Sequence, residues 1–364
     1  RGEPNLANLL DLVALGTIAD VVKLDQNNRI LVQQGLQRIR SGRACAGINA
    51  LLQVAKKNQA KVSSLDLGFT VGPRLNAAGR LDDMSLGINC LLTDDASIAL
   101  QMAAKLDTLN RERRSIETEM QDSALAALEQ INSRVRSTHH GAHSAPYRTS
   151  LVLFDETWHQ GVIGILASRL KDKFHRPAIA FARSSNGEIK GSGRSIAGLH
   201  LRDALDLVSK RYPALIGKFG GHAAAAGLSI AENDFSNFVA AFEQVCSELL
   251  SSNDLAQRIE TDGALDNAEM SLDVARSLDA QVWGQGFPAP QFNDDFVVQN
   301  QRVVGEKHLK LRLGRKGKII EAILFGHNEI LPEKIHAVYS LSVNEYNGTQ
   351  SVQLIVRHWR ERED

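Results

Sequence analysis

From Thr93 to about Asn132 the chain contains neither Gly nor Pro, and Ile98, Met102, Leu106, Leu109, Ile116, Met120, Leu128 and Ile131 recur at near-helical spacing. Thr93 or Asp94 is placed to cap this helix. At about 1.5 Å per residue such a helix would measure about 60 Å, more than one small domain needs, so it is predicted to join two lobes. Before it, residues 5–92 mix apolar helical runs with Gly-rich turns. After it, Ser133 to Ser150 is polar and reads as an exposed linker. Leu151–Phe154 then predicts a strand, Asp155–Gly161 a loop, Val162–Phe174 a helix and Pro177–Phe181 a second strand. Asn186-Gly187 signals a hairpin turn into a strand through Ile189 and Lys190, and Leu199–Tyr212 and Phe235–Leu250 read as amphipathic helices. In the last region the period changes to two. Leu309, Leu311 and Leu313 share one face of a strand while His308, Lys310 and Arg312 share the other. A second hairpin centres on Asn347-Gly348, so a set of short strands forming a small barrel or sandwich is expected.

These patterns divide the chain into 1–92, a connector helix over 93–132, a linker over 133–150, an α/β domain over 151–257 and a β domain over 258–364. A length of 364 residues suits two or three domains. Lys plus Arg and Asp plus Glu are 42 each, which excludes a uniformly basic nucleic-acid coat. The balance hides local fields. Glu232 to Gln299 holds thirteen acidic residues against Arg258 and Arg276, a net of −11, and reads as a solvated helical face. Gln301 to Lys318 has seven basic residues against Glu306, a net of +6. No apolar run is long enough to span a bilayer and no signal-peptide pattern opens the chain, so no membrane association is expected. Cys45, Cys90 and Cys246 stand far apart, which fits a reducing cytoplasm better than disulfides or a zinc site. The first residue is Arg1, inside what reads as ongoing structure, and the sequence is expected to be a fragment.

Several constellations could carry chemistry. Asp20 follows Gly16-Thr17-Ile18-Ala19, where a carboxylate can emerge from a buried element and face a cleft, although on spacing alone a capping or loop aspartate is the simpler reading. In Val71–Asp83, Arg74, Asn76 and Arg80 fall in what reads as one Pro- and Gly-containing loop, suited to phosphate or to ion pairs with Asp82 and Asp83. Gly191-Ser192-Gly193-Arg194-Ser195 suggests a loop whose open amides form an anion nest beside two hydroxyls and a guanidinium, or a plain turn. Gly220-Gly221-His222 would let an imidazole meet a ligand, or marks a histidine packed in a tight turn. His159 lies just before a helix whose first amides could receive an anion. His139, His140 and His143 lack nearby carboxylates and read as a solvated loop. No Ser-His-Asp signature, Walker loop or dinucleotide fingerprint is present.

In order and spacing, LVALGTIADVV (Leu12–Val22), VGPRLNAAGRLDD (Val71–Asp83), WHQGVIGILASRL (Trp158–Leu170), GSGRS (Gly191–Ser195) and KFGGHAAAAGL (Lys218–Leu228) resemble the RecJ family of the DHH/DHHA1 phosphoesterase superfamily. The resemblance implies an α/β fold: the C-terminal part of a DHH domain, a long connecting helix, an α/β DHHA1 domain and a β-barrel OB-fold. It implies a single-stranded-DNA-specific 5′→3′ exonuclease of DNA repair and recombination, with Mn2+ or Mg2+ in a two-metal site. Asp20 would ligate metal, and Ser192 and Arg194 would hold the terminal 5′-phosphate. Arg74, Asn76, Arg80, His159, Gly220, Gly221 and His222 would line the entering strand, and His308, Lys310 and Arg312 would form the DNA-binding OB face. Single-stranded DNA is the implied partner, with a single-strand-binding protein or a helicase as further candidates. The family's other metal ligands lie in upstream Asp-x-Asp or Asp-His-Asp and Asp-His-His motifs, and no Asp-His-His occurs here. The chain is therefore expected to bind DNA without cutting it. A phosphodiesterase for cyclic dinucleotides or short RNA, or a non-catalytic DNA-binding scaffold, are the alternatives.

Overall fold

A computed structural model describes residues 5–138, 149–184 and 187–363, and the chain divides into two units. One unit holds Arg1–Pro73, Leu91–Leu100 and Ile259–Asp364; the other holds Arg74–Cys90 and Gln101–Arg258. His139, His140, His143 and Asn186 lie outside the described residues.

In the first unit, α1 (Leu10–Ala19), α2 (Gln26–Arg40), α3 (Ala46–Val54) and the single turn α4 (Ser64–Asp66) supply the helical part, followed by a π-helical turn at Leu67–Val71. Asp25 caps α2 by accepting the Asn28 N–H at 2.9 Å. Asp11 is buried and accepts the Cys45 N–H at 2.7 Å, which fixes the entry to α3.

α5 (Gly72–Leu81) and α6 (Ser85–Leu92) come next. The segment with Arg74, Asn76 and Arg80, expected as a loop, is helix: Pro73 sits in the first turn, where no intrahelical N–H is needed, and Leu75, Ala77 and Ala78 are buried. α7 (Ala96–Thr138) is the expected long helix, displaced toward the C-terminus. Its cap is Asp95, whose carboxylate accepts the Ser97 and Ile98 N–H groups, in place of Thr93 or Asp94. It runs into the predicted linker because the sequence offers no Gly or Pro before Gly141.

The second unit's sheet has the order β1-β2-β3-β5-β4, built from β1 (Leu151–Phe154), β2 (Ala178–Arg183), β3 (Glu188–Arg194), β4 (Lys218–Gly221) and β5 (Ala225–Ala231). β1 and β2 are parallel and joined through α8 (Ile163–Phe174), as a βαβ unit requires. Ile179, Phe181 and Ile189 face a core with α9 (Leu201–Arg211) and α10 (Phe235–Leu249), while Ala178, Ala180 and Ala182 belong to a second core with α8.

The GSGRS segment is a further correction. Gly191 to Arg194 is not a loop but the end of β3, paired to β2 on one side and β5 on the other. Its amides belong to ladders on both edges, so no open nest exists. The glycines serve packing: a Cβ on Gly191 would stand 2.6 Å from the Phe181 ring, and one on Gly193 2.8 Å from Leu201.

Residues 261–361 add α11 (Leu272–Asp279) and a closed barrel, β10-β8-β7-β6-β9, made of β6 (Phe292–Val304), β7 (His308–Arg315), β8 (Lys318–Phe325), β9 (Lys334–Tyr346) and β10 (Thr349–Glu361). Leu309, Leu311 and Leu313 are fully buried, as the alternation predicts. Asn347 and Gly348 both take positive φ, the geometry a tight hairpin turn requires. The acidic run is no single helical face. It is spread over α10, α11, β6 and the segments between, and Asp294 is committed to the buried Arg315. Among the described residues, no helix is long and apolar enough to cross a membrane.

Candidate nucleic-acid interface

Because a strand alternates its side chains, Ser192 and Arg194 share the α8 face of β3, opposite the packed glycines. Arg194 donates to Ser192 Oγ at 3.2 Å and to the Gly193 carbonyl at 2.8 Å. Facing them is Gly164 in the first turn of α8. A Cβ there would stand 2.9 Å from Ser192 Oγ and 3.0 Å from Arg194 Nη2. Burial lowers the Arg194 pKa from its ordinary value, and the charge of Arg80 lowers it further.

Arg80 leaves the last turn of α5 and donates to the Gly161 carbonyl at 3.0 Å. The approach needs a glycine, since a Cβ on Gly161 would meet the Arg80 carbonyl oxygen at 2.2 Å. His159 Nδ1 accepts the Gly161 N–H at 3.1 Å, so the neutral ring carries its proton on Nε2 and presents a donor from an exposed position. Thus α5, the loop before α8, the first turn of α8 and β3 form one corner. It holds Arg80, His159, Ser192 and Arg194, and among the described residues no carboxylate pairs with Arg80 or Arg194.

Register extends the corner into a shelf. Ser192 is paired with Gly227 of β5, and Gly227 with Gly220 of β4, so these three form one row on one face. The next row holds Lys190, Ser229 and Lys218. Gly220, Gly227, Lys190 and Lys218 are exposed. The result is a bare glycine floor flanked by two ammonium groups. Gly221, at φ +141°, ends β4 where a Cβ would strike the Ala225 carbonyl, and His222 follows it at the surface. Gly164, Gly227, Lys190 and Lys218 were missed in sequence. Gly164 stood inside WHQGVIGILASRL as a small residue in a helix's first turn, whereas the Gly220–Gly227 row depends on strand order and had no local signal.

Two expected residues stand apart from this corner's anion-facing groups. Arg74 is tied to Asp107 of α7, Nη2 to Oδ1 at 2.9 Å and Nε to Oδ1 at 3.0 Å, rather than to the aspartates that follow α5. Asn76 is exposed on α5.

Asp20 belongs to the other unit. It is the exposed C-cap of α1, donating its own N–H to the Gly16 carbonyl, and its carboxylate has no hydrogen bond or ion pair among the described residues. No group of three or more His, Cys, Asp or Glu suited to a metal occurs among them. One lone carboxylate does not fit a two-metal cage.

On the barrel, His308, Lys310 and Arg312 share the outward face of β7. Pairing sets Lys310 between Arg302 and Ile323, and Arg312 between Asn300 and Glu321. Ile355 lies beyond Ile323 on β10, and His308 packs edge-on to the exposed Phe325 with ring centroids 5.1 Å apart. The face therefore carries cations over β6 and β7 and apolar groups over β8 and β10. Glu321 contacts both Lys310 and Arg312, at 3.2 and 3.4 Å, and moderates their charge. Arg315 and Lys318, counted in the basic run, turn inward: Arg315 to Asp294, and Lys318 to the carbonyls of Asn267 and Met270.

Residues 148–248 match the family model of the DHHA1 domain, and residues 261–358 that of the RecJ OB domain. The chain is 49% identical over 364 residues to the single-stranded-DNA-specific exonuclease RecJ of Dickeya dadantii, covering 98% of this chain and 62% of that protein. Crystal structures of RecJ from Thermus thermophilus, in complex with Mg2+ and with Mn2+, each match at a TM-score of 0.82 and 29% identity. They cover 99% of this chain and 53% and 51% of those chains.

Proposed function

This chain belongs to the RecJ family, spanning about three fifths of the curated relatives' length, and on that footing we propose that it is the end-gripping part of a single-stranded-DNA-specific 5′→3′ exonuclease, a phosphodiester hydrolase of DNA repair and recombination. One observation carries the reading. Arg80, on the Gly161 carbonyl just before α8, and Arg194, beside Ser192 and Gly164 in its first turn, converge on one corner, and among the described residues neither pairs with a carboxylate. Two guanidiniums held together with no counter-ion suit a dianionic terminal phosphate.

In this reading Arg194 and Arg80 take the phosphate oxygens, Ser192 Oγ adds a hydrogen bond, and His159 offers Nε2–H to the next phosphate. The strand then crosses the Gly220–Gly227 floor past His222, with Lys190 and Lys218 along its backbone. On the barrel, Arg302, Lys310 and Arg312 meet phosphates, while Ile323 and Phe325, with His308 at the ring edge, meet bases. Arg74 supports α5 and does not touch the strand. Asp20 would supply one ligand to Mn2+ or Mg2+, with no group of three or more metal-suited side chains among the described residues to complete the site. The chain by itself binds single-stranded DNA and leaves it uncut.

The decisive experiment compares 5′-phosphorylated with 5′-hydroxyl oligothymidylate by fluorescence anisotropy. Wild type is expected to prefer the phosphorylated end, and R194A to lose most of that preference while still binding both strands. An unchanged preference in R194A overturns the assignment. Incubation of a labelled strand with Mn2+ should yield no shortened products, and their appearance would contradict the non-cutting reading.

A further inference from the structure

The buried stripe of α7 is interrupted. Ala103, Leu106, Asn110, Arg113, Glu117, Met120 and Ala124 follow helical spacing and are all buried, yet the central three are polar. They form a chain: Arg113 Nη2 donates to Asn110 Oδ1 at 2.9 Å, and Arg113 Nη1 to Glu117 Oε2 at 2.6 Å. The second Glu117 oxygen takes Arg169 of α8 at 2.9 Å. One turn before Asn110, Asp107 holds Arg74 of α5. So α7 grips by carboxylates the two helices that build the anion corner: α5, which delivers Arg80, and α8, whose first turn carries Gly164.

A buried ion pair is a poor device for stability, because desolvation offsets its attraction, and apolar residues of similar size commonly serve as well or better. Its presence in the middle of an otherwise apolar stripe therefore calls for a different account.

We propose that Asp107 and the Asn110–Arg113–Glu117 run make α7 a positioning element for the anion corner. Glu117 holds Arg113 on α7 and, through Arg169, fixes α8 against it, so that the first turn of α8 keeps its place beside Ser192 and Arg194. Asp107 fixes the other end of α5 through Arg74. The inference rests on the terminal-phosphate reading above and adds to it that the preference for a phosphorylated end depends also on residues that never touch DNA.

The test uses the whole chain and the ratio of affinities for 5′-phosphorylated and 5′-hydroxyl oligothymidylate, with R194A alongside. R113M/E117L replaces the buried pair by apolar groups and is expected to keep or raise the melting temperature while lowering the ratio about threefold or more. D107A is expected to lower the ratio by about the same factor, and the exchange R74D/D107R to restore it. A ratio unchanged in D107A, tighter binding of both strands in D107A (Arg74 then acting on the strand itself), or no recovery in the exchange overturns the proposal. So does an R113M/E117L protein that folds and keeps the ratio. Should that double variant fail to fold, D107A and the exchange decide alone. If R194A keeps the ratio, the phosphate reading itself has failed, a result separable from failure of the positioning role.

Discussion

Arg194 is held by a serine hydroxyl and a carbonyl, both neutral, so its charge remains to be met. Gly164 leaves the room in which it is met. Gly164→Ala would put a methyl group against Ser192 Oγ and Arg194 Nη2. It is expected to reduce the preference for a phosphorylated end about tenfold, with little change in melting temperature, as read by anisotropy and thermal denaturation. Tyr339 yields a different residue-scale expectation. Burial, reinforced by Asp294, pushes its phenol up to about 12. Its proton is held more tightly folded than unfolded, so its contribution is complete below about pH 10 and is lost as pH rises toward 12. Melting temperature should fall more steeply across that window in wild type than in Y339F. At this scale the sequence identified Ser192 and Arg194 as the corner's polar groups but misread their setting. Glycines between a serine and an arginine suggest open amides, whereas here they make way for Phe181 and Leu201, side chains distant in sequence.

Elements were legible where one period ran without interruption. The alternation from His308 to Leu313 gave β7 and its buried face, and the uninterrupted run after Thr93 gave α7 to within a few residues. α5 was hidden because Gly72-Pro73 and Gly79 resemble turn residues, and only the burial of Leu75, Ala77 and Ala78 shows why a helix prevails. The neighbours of β7 depend on barrel register, and so Phe325 and Ile323 had no local signal, while Arg302, counted in the basic run, had no assigned face. That register yields a test of the outer face. R302A and K310A should each weaken binding of single-stranded DNA and reduce the salt slope by about one. F325A should weaken binding while leaving the slope in place, and should do so less for an abasic strand. Titrations from low to moderate salt would separate the two effects.

For the whole molecule, the pattern of connector helix, α/β sheet and barrel was readable because each part changes hydrophobic period. The grouping of residues 259–364 with residues 1–73 was not, since it depends on contacts distant in sequence. The metal question also belongs to this scale. With Asp20 as a solitary carboxylate, affinity for single-stranded DNA should be unaltered by exhaustive chelation, and calorimetric titration with Mn2+ should show no tight site. A chelator-sensitive affinity would place a metal in the binding surface itself.

The position of β3 in the middle of its sheet has a kinetic consequence. Hydrogen bonds on both flanks and a core on one face tie it into the sheet, where exposure demands large-scale opening. Ser192 and Arg194 thus work as an immovable bollard: the protein cannot yield them by loosening a flap. A moored end must slip its own line, and the length of each stay is governed by how fast ions and water replace those few bonds.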